Sequence, residues 1–123
     1  MPEQRRQRAV PILETPLLHS LMAAASTTGW LAYHALPARL SNGRIVTHAL
    51  GNPGFPDLVL VHPRGGILFR ELKAEGRYPS PAQRRWLEAV TTAAEVGCSA
   101  GVWRPRDQKN ALDQLGGQGT WRP

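Results

Sequence analysis

The stretch Asp57–Lys73, DLVLVHPRGGILFRELK, constrains this chain more than any other part of it. Two runs dense in Leu, Val, Ile and Phe flank Pro63-Arg64-Gly65, and neither shows the 3–4 spacing of an amphipathic helix. Asp57–His62 reads as a buried strand and Gly66–Lys73 as a second. Pro63 suits the start of a type I turn and Gly65 the left-handed position of a bulge, which makes the connection a three-residue hairpin loop. That loop pairs His62 with Gly66 and, further along the ladder, brings Asp57 opposite Glu71. Side chains alternate faces along a strand, so Ile67, Phe69, Glu71 and Lys73 share one face, and Asp57 joins them.

Directly opposed Cβ atoms lie about 4.5–5.5 Å apart. Two carboxylates at that distance repel unless a proton or a cation stands between them, and the Lys73 amine offsets only part of this. Hard oxygen ligands suit Mg²⁺, which keeps several of its waters. The expected ligands are Asp57, Glu71 and the backbone carbonyl of Leu72. Lys73 is then placed to hold or help deprotonate an attacking water, while the ion polarises a phosphate and stabilises the leaving oxygen. The plainer alternatives are a strand-start turn residue for Asp57 and a solvated edge-strand face for Glu71 and Lys73. Ile67 and Phe69 on that face argue against the second.

The remaining elements fall in order around this hairpin. Thr15-Pro16 reads as a helix start, with an apolar stripe through Leu17–Ala25 and a stop at Thr27, Thr28 and Gly29. Trp30–His34 reads as a short strand. Residues 36–56, rich in Pro and Gly, read as a long loop with a short strand near Ile45–Ala49. Ser80-Pro81-Ala82-Gln83 opens a helix that runs to about Val96, with Trp86, Ala89, Val90 and Ala93 inward and Gly97 at its end. Cys98–Trp103 is a last strand, and Asp107 caps a helix through Leu115. The fold class is α/β: an α-β-β-β-α-β order with a small mixed sheet flanked by helices. Residues 1–12 read as a flexible basic arm carrying Arg5, Arg6 and Arg8, residues 13–116 as one domain, and residues 117–123 as a tail.

Charge narrows the function classes. Fifteen Lys and Arg oppose nine Asp and Glu in 123 residues, for a net charge of +6, and 13 of the 15 are Arg. Arg forks match phosphate geometry and stay charged, so the excess points to nucleic acid. Arg39 and Arg44 in the long loop, and Arg77, Arg84 and Arg85 around the start of the second long helix, are the candidate phosphate contacts. Arg84 and Arg85 sit at the end of a helix where a cation opposes the dipole, a cost easier to understand if phosphate binds there. One cysteine excludes a disulfide framework or a multi-Cys zinc site. There is no secretory signal or transmembrane run, so the expected location is the cytoplasm, with no membrane partner.

Pro56-Asp57 followed by Glu71-Leu72-Lys73 resembles the PD-(D/E)XK nuclease superfamily, and the order of elements fits the restriction-endonuclease-like α-β-β-β-α-β core that this resemblance implies. The wording is also similar to the VRR-NUC family. Gly54-Phe55-Pro56-Asp57-Leu58 resembles that family's G-x-P-D-L segment, Ser80-Pro81-Ala82-Gln83 before Trp86 its S-x-x-Q element, and Val102-Trp103-Arg104-Pro105 its last core strand. The resemblance covers roughly Glu14 to Leu115. It implies a Mg²⁺-dependent DNA endonuclease, with Mn²⁺ able to substitute, that acts on branched DNA such as Holliday (four-way) junctions or flaps. It also implies a bacterial or phage origin, a homodimer, and an acidic metal ligand from the first helix, for which Glu14 is the candidate. A nicking or non-specific duplex nuclease and a catalytically silent DNA-binding module remain the alternatives. Gln83 has two readings: an active-site role, or a capping box with Ser80 and nothing more.

Overall fold

The computed structural model describes residues 16–35, 38–46, 50–94 and 97–116. Helix α1 (Pro16–Thr28) leads into β1 (Leu31–His34), and the long loop contains a two-stranded ribbon, β2 (Ala38–Arg39) with β3 (Ile45–Val46). The central hairpin is β4 (Leu58–His62) and β5 (Gly66–Leu72). Helix α2 (Pro81–Ala93), β6 (Cys98–Trp103), a 3₁₀ turn (Pro105–Asp107) and α3 (Gln108–Leu115) complete the described chain. The main sheet has the order β1-β4-β5-β6, antiparallel except for the parallel β5–β6 pair. This is the small mixed sheet with flanking helices that the sequence implies.

The two sheet faces differ. Leu58 and Leu60 of β4, Leu68 of β5 and Trp103 of β6 form a core with Leu17, Leu21 and Ala25 of α1 and Ala111 and Leu115 of α3. Trp30 seals one end and donates its indole N–H to the Leu115 carbonyl at 2.8 Å. Arg70 lies on this same face, 8% exposed, with its guanidinium 4.9 Å from the Trp103 ring centre. It donates to the carbonyls of Phe69 and Ser99 and to Ser99 Oγ, and burial lowers its pKa to about 10, so it remains charged at neutral pH. On the opposite face α2 buries no residue fully. Its contact there runs through Phe55, which meets Phe69 and Trp86 edge-on at 6.1 and 5.0 Å between ring centres.

The hairpin register is the expected one: His62 pairs with Gly66 and Leu58 with Arg70. The left-handed residue is Gly66 (φ 87°), however, and not Gly65. Gly65 is small for a different reason, since a Cβ there would lie 2.5 Å from the Trp30 ring. Helix α1 continues through Thr27 and Thr28, which were expected to stop it. Their hydroxyls bond back to the carbonyls of Ala23 and Ala24, so these polar side chains are satisfied within the helix, and Gly29 (φ 86°) ends it instead. Helix α2 ends at Ala93, short of Val96, and residues 95–96 lie outside the described set. Of its expected inward stripe, Trp86 and Val90 are half-buried, whereas Ala89 and Ala93 are exposed. The basic arm, the tail, and residues 47–49 of the expected strand near Ile45–Ala49 also lie outside the described residues.

Gly66 and Gly43 allow a controlled test of close packing, since both have φ near +88°. A Cβ on Gly43 meets nothing within 4 Å, whereas one on Gly66 would lie 1.9 Å from the Gly97 carbonyl oxygen. Gly43→Ala therefore carries backbone strain alone, on the order of 1 kcal/mol. Gly66→Ala adds a backbone clash between β5 and the entry to β6. Urea unfolding of the two variants should show a clearly larger fall in midpoint for Gly66→Ala, and equal losses would contradict this packing.

Candidate active site

Extending the β4–β5 ladder one step beyond Leu58–Arg70 brings Asp57 to Glu71. Asp57 precedes the strand, and its carboxylate Oδ2 accepts the Leu72 N–H at 3.0 Å, which fixes its side chain across the strand end. Glu71 is 2% exposed and faces the Asp57 carboxylate. Burial first, and then the charge and side chain of Asp57, push its pKa up to about 8 against the smaller opposing pull of Lys73. Lys73 Nζ lies 3.8 Å from Glu71 Oε2, with the lysine partly open to solvent.

Gln83 closes the capping box and also touches Glu71. Its backbone N–H donates to Ser80 Oγ and its side-chain Oε1 accepts the Ser80 N–H, which closes a full capping box. The other end of the same amide, Nε2, donates to Glu71 Oε2 at 2.6 Å. The capping contact orients the amide so that its NH₂ points at the carboxylate. Gly54 lets the preceding loop lie against this helix start, since a Cβ there would come 2.5 Å from the Ala82 backbone.

One oxygen of the site is left over. Glu71 Oε1 is buried and has no hydrogen-bond partner. A buried carboxylate oxygen without a donor, beside a second carboxylate, is a fitting ligand pair for a hard divalent cation. Among the described residues no group of three or more His, Cys, Asp or Glu gathers for a metal, so the carboxylate ligands they offer are Asp57 and Glu71. Glu14 lies outside the described residues.

The candidate phosphate-binding arginines lie on the β2–β3 ribbon segment and around the start of α2. Arg77, Arg84 and Arg85 are exposed near the start of α2, and Arg84 Nη1 donates to the Pro79 carbonyl. Arg44 is exposed beside β3, and Arg39 stands in β2. Sequence reasoning gave His34 no defined role at the site. Its Nδ1 lies 2.9 Å from the Asp57 carbonyl oxygen, which makes Nδ1 the protonated nitrogen, and Nε2 is buried with no hydrogen-bond partner among the described residues. The signal was the β1–β4 pairing of His34 with Leu58, a contact across more than 20 residues that no local pattern sets.

The raised Glu71 pKa fixes a sign. Between the ordinary value of 4.5 and about 8, the unfolded chain releases a proton that the metal-free folded protein keeps. Stability of the metal-free protein therefore falls as pH rises through that window and levels off above it. Glu71→Gln should raise the thermal midpoint at pH 8.5 and lose that advantage at pH 4.5 or below. A gain of the same size at both pH values would mean that the charge is not its source.

Residues 48–107 match the family model of the VRR-NUC domain. No curated protein is similar enough to count as a relative. A solved structure described as a VRR_NUC domain is similar in fold, with a TM-score of 0.52 and 24% identity, covering 79% of this chain and 90% of that one. The likeness drawn from Pro56-Asp57 and Glu71-Leu72-Lys73 is thus borne out, and the chain carries the sequence match of a VRR-NUC domain, a nuclease-type domain, on an α/β fold of that kind.

Proposed function

We propose that this chain is a Mg²⁺-dependent DNA endonuclease that hydrolyses phosphodiester bonds and prefers branched DNA such as four-way junctions or flaps. The observation that supports it best is the buried Glu71 carboxylate, one oxygen unpartnered, set against Asp57 and beside Lys73. Asp57, Glu71 and the Leu72 carbonyl would hold the ion, and Glu14 would add a ligand if the likeness to the family extends to it. Mn²⁺ takes the same place. A bound divalent ion polarises the scissile phosphate and steadies the leaving oxygen. Lys73 holds the attacking water and helps take its proton. Gln83 keeps the Glu71 carboxylate aimed while the neighbouring charge changes. Arg39, Arg44, Arg77, Arg84 and Arg85 grip the flanking phosphates. The active form is a homodimer working in a bacterial or phage-infected cytoplasm, and among the described residues no helix is long and apolar enough to cross a membrane.

Asp57→Ala and Glu71→Ala should each abolish cleavage of duplex, flap and four-way substrates, and chelation of divalent ions should do the same to the parent protein. DNA binding should survive both changes, since each removes a negative charge. Lys73→Ala should lower single-turnover cleavage by orders of magnitude and leave metal affinity close to the parent's. Cleavage by Asp57→Ala at the parent rate would remove this site from the reaction. DNA binding without cleavage by the parent in any divalent ion would favour the silent binding module.

The basic surface gives a second measurement. If roughly 4–6 side chains neutralise phosphates, log K for junction binding in Ca²⁺ falls against log salt with a slope of about −4 to −5. The pair Arg84→Ala and Arg85→Ala together should flatten it by about 1–2. A nearly flat slope for the parent would separate the arginine excess from phosphate binding.

A further inference from the structure

The loop between β5 and α2 carries an exposed aromatic that the cleavage chemistry leaves unused. Tyr78 is 75% exposed, in the loop Ala74–Ser80 that joins β5 to α2. That loop begins directly after Lys73 and ends at the residue that caps Gln83, and both Lys73 and Gln83 contact Glu71. Tyr78 thus stands five residues along the chain from both Lys73 and Gln83, whose side chains contact Glu71.

Folding does not account for the position of this ring. A large aromatic that stays mostly in water gains little from burial, yet its backbone is braced on both sides. The carbonyl before it, on Arg77, accepts from Arg104 Nη2 at 2.8 Å, and the carbonyl after it, on Pro79, accepts from Arg84 Nη1 at 2.8 Å. The loop is further tied by the Arg77 N–H to the Ala74 carbonyl and by the Arg106 N–H to Glu75 Oε2. The Arg104 guanidinium also lies 5.5 Å from the centre of the Tyr78 ring. Arg104 follows Trp103, whose carbonyl accepts the Lys73 N–H at 3.1 Å, so the brace is built into the same strand ends that place Lys73. A clamped, solvent-facing ring has already met much of the ordering cost of a stacking contact.

We propose that Tyr78 is a stacking platform for an unpaired nucleobase next to the scissile phosphate, with Arg104 as the residue that positions it. The surroundings suit a nucleic-acid strand: Arg77, next to Tyr78 in the chain, and Arg84, which donates to the Pro79 carbonyl, are exposed, and Arg106 is 70% exposed even while it pairs with Glu75. Every base offers a π-face, so a platform of this kind recognises an unstacked base without reading its identity. A paired base inside a duplex cannot reach it. The inference rests on the nuclease reading above and adds to it the structural feature of the substrate that the site detects: a base already freed from its stack, as at a flap or a branch.

The test uses the full chain in Ca²⁺, with two probes of the same length. One is a flapped duplex carrying 2-aminopurine at the first unpaired position, and the other is the matching intact duplex. Binding of the parent should quench the 2-aminopurine. Tyr78→Ala should weaken binding to the flapped probe about 5- to 100-fold, the range of one lost base–aromatic stack. The loss on intact duplex should be several-fold smaller, and the quench should disappear. Tyr78→Phe keeps the ring and should restore both preference and quench, while Arg104→Lys, which keeps the charge but not the planar contact, should fall between. Equal losses of Tyr78→Ala on the two probes overturn the platform, as does a Tyr78→Phe variant as impaired as Tyr78→Ala. If flapped DNA is bound in Ca²⁺ and cleaved in Mg²⁺ equally well whatever stands at residue 78, the platform fails and the nuclease reading stands. If the parent binds neither probe, both fail.

Discussion

The carboxylates of Asp57 and Glu71 are forced together by the β4–β5 ladder, and the neighbouring structure is arranged around that repulsion. Asp57 gives one oxygen to the Leu72 N–H, so its position does not depend on finding a cation. Glu71 gives one oxygen to Gln83 and Lys73 and keeps the other unpartnered. The repulsion is tolerable because the opposite sheet face supplies the apolar core, with Leu58, Leu60 and Leu68 on the same strands buried against α1 and α3. One hairpin thus carries the cost on one face and its compensation on the other, with two-residue alternation keeping them apart.

Gln83 shows how a small site can use one side chain twice. An amide has an acceptor end and a donor end. Here the acceptor closes the capping box that starts α2, and the donor reaches Glu71. Capping and carboxylate positioning are one arrangement, and weighing them as rivals in the sequence missed that the two ends are independent. The same economy holds for Arg84, whose exposed cation at the wrong end of a helix braces the Pro79 carbonyl.

Much of this was legible because it depends on short spacings. The hairpin loop fixed the register, the register put Asp57 against Glu71, and Ser80-Pro81 marked the helix start. What sequence missed depends on distant contacts. The position of His34 beside Asp57 needs the β1–β4 pairing, and the Arg104 contact with Tyr78 needs the parallel β5–β6 pairing, both set by tertiary packing. Gly65 was assigned to a turn angle when its smallness answers to the Trp30 ring, a contact across 35 residues. Thr27 and Thr28 were read as breakers because their hydroxyls compete with the backbone, yet in α1 those hydroxyls return to the preceding turn. The half-covered face of α2 could not be read either, because an apolar stripe says which side of a helix can be buried and not how far the sheet beneath it extends.

That uneven coverage gives the two sides of the sheet different mechanical characters. The side built by α1 and α3 holds the buried core, and its opening requires global unfolding. Helix α2 buries no residue fully and is held by β6, Phe55, Trp86, its cap and the Glu71 contact, so less apolar burial holds it in place than holds α1. The helix that aims Glu71 is thus also the one that local fluctuations can lift while the rest stays folded. The register that sets the two carboxylates together belongs to the β4–β5 hairpin, whose far face is the buried core, and does not depend on how firmly α2 is seated.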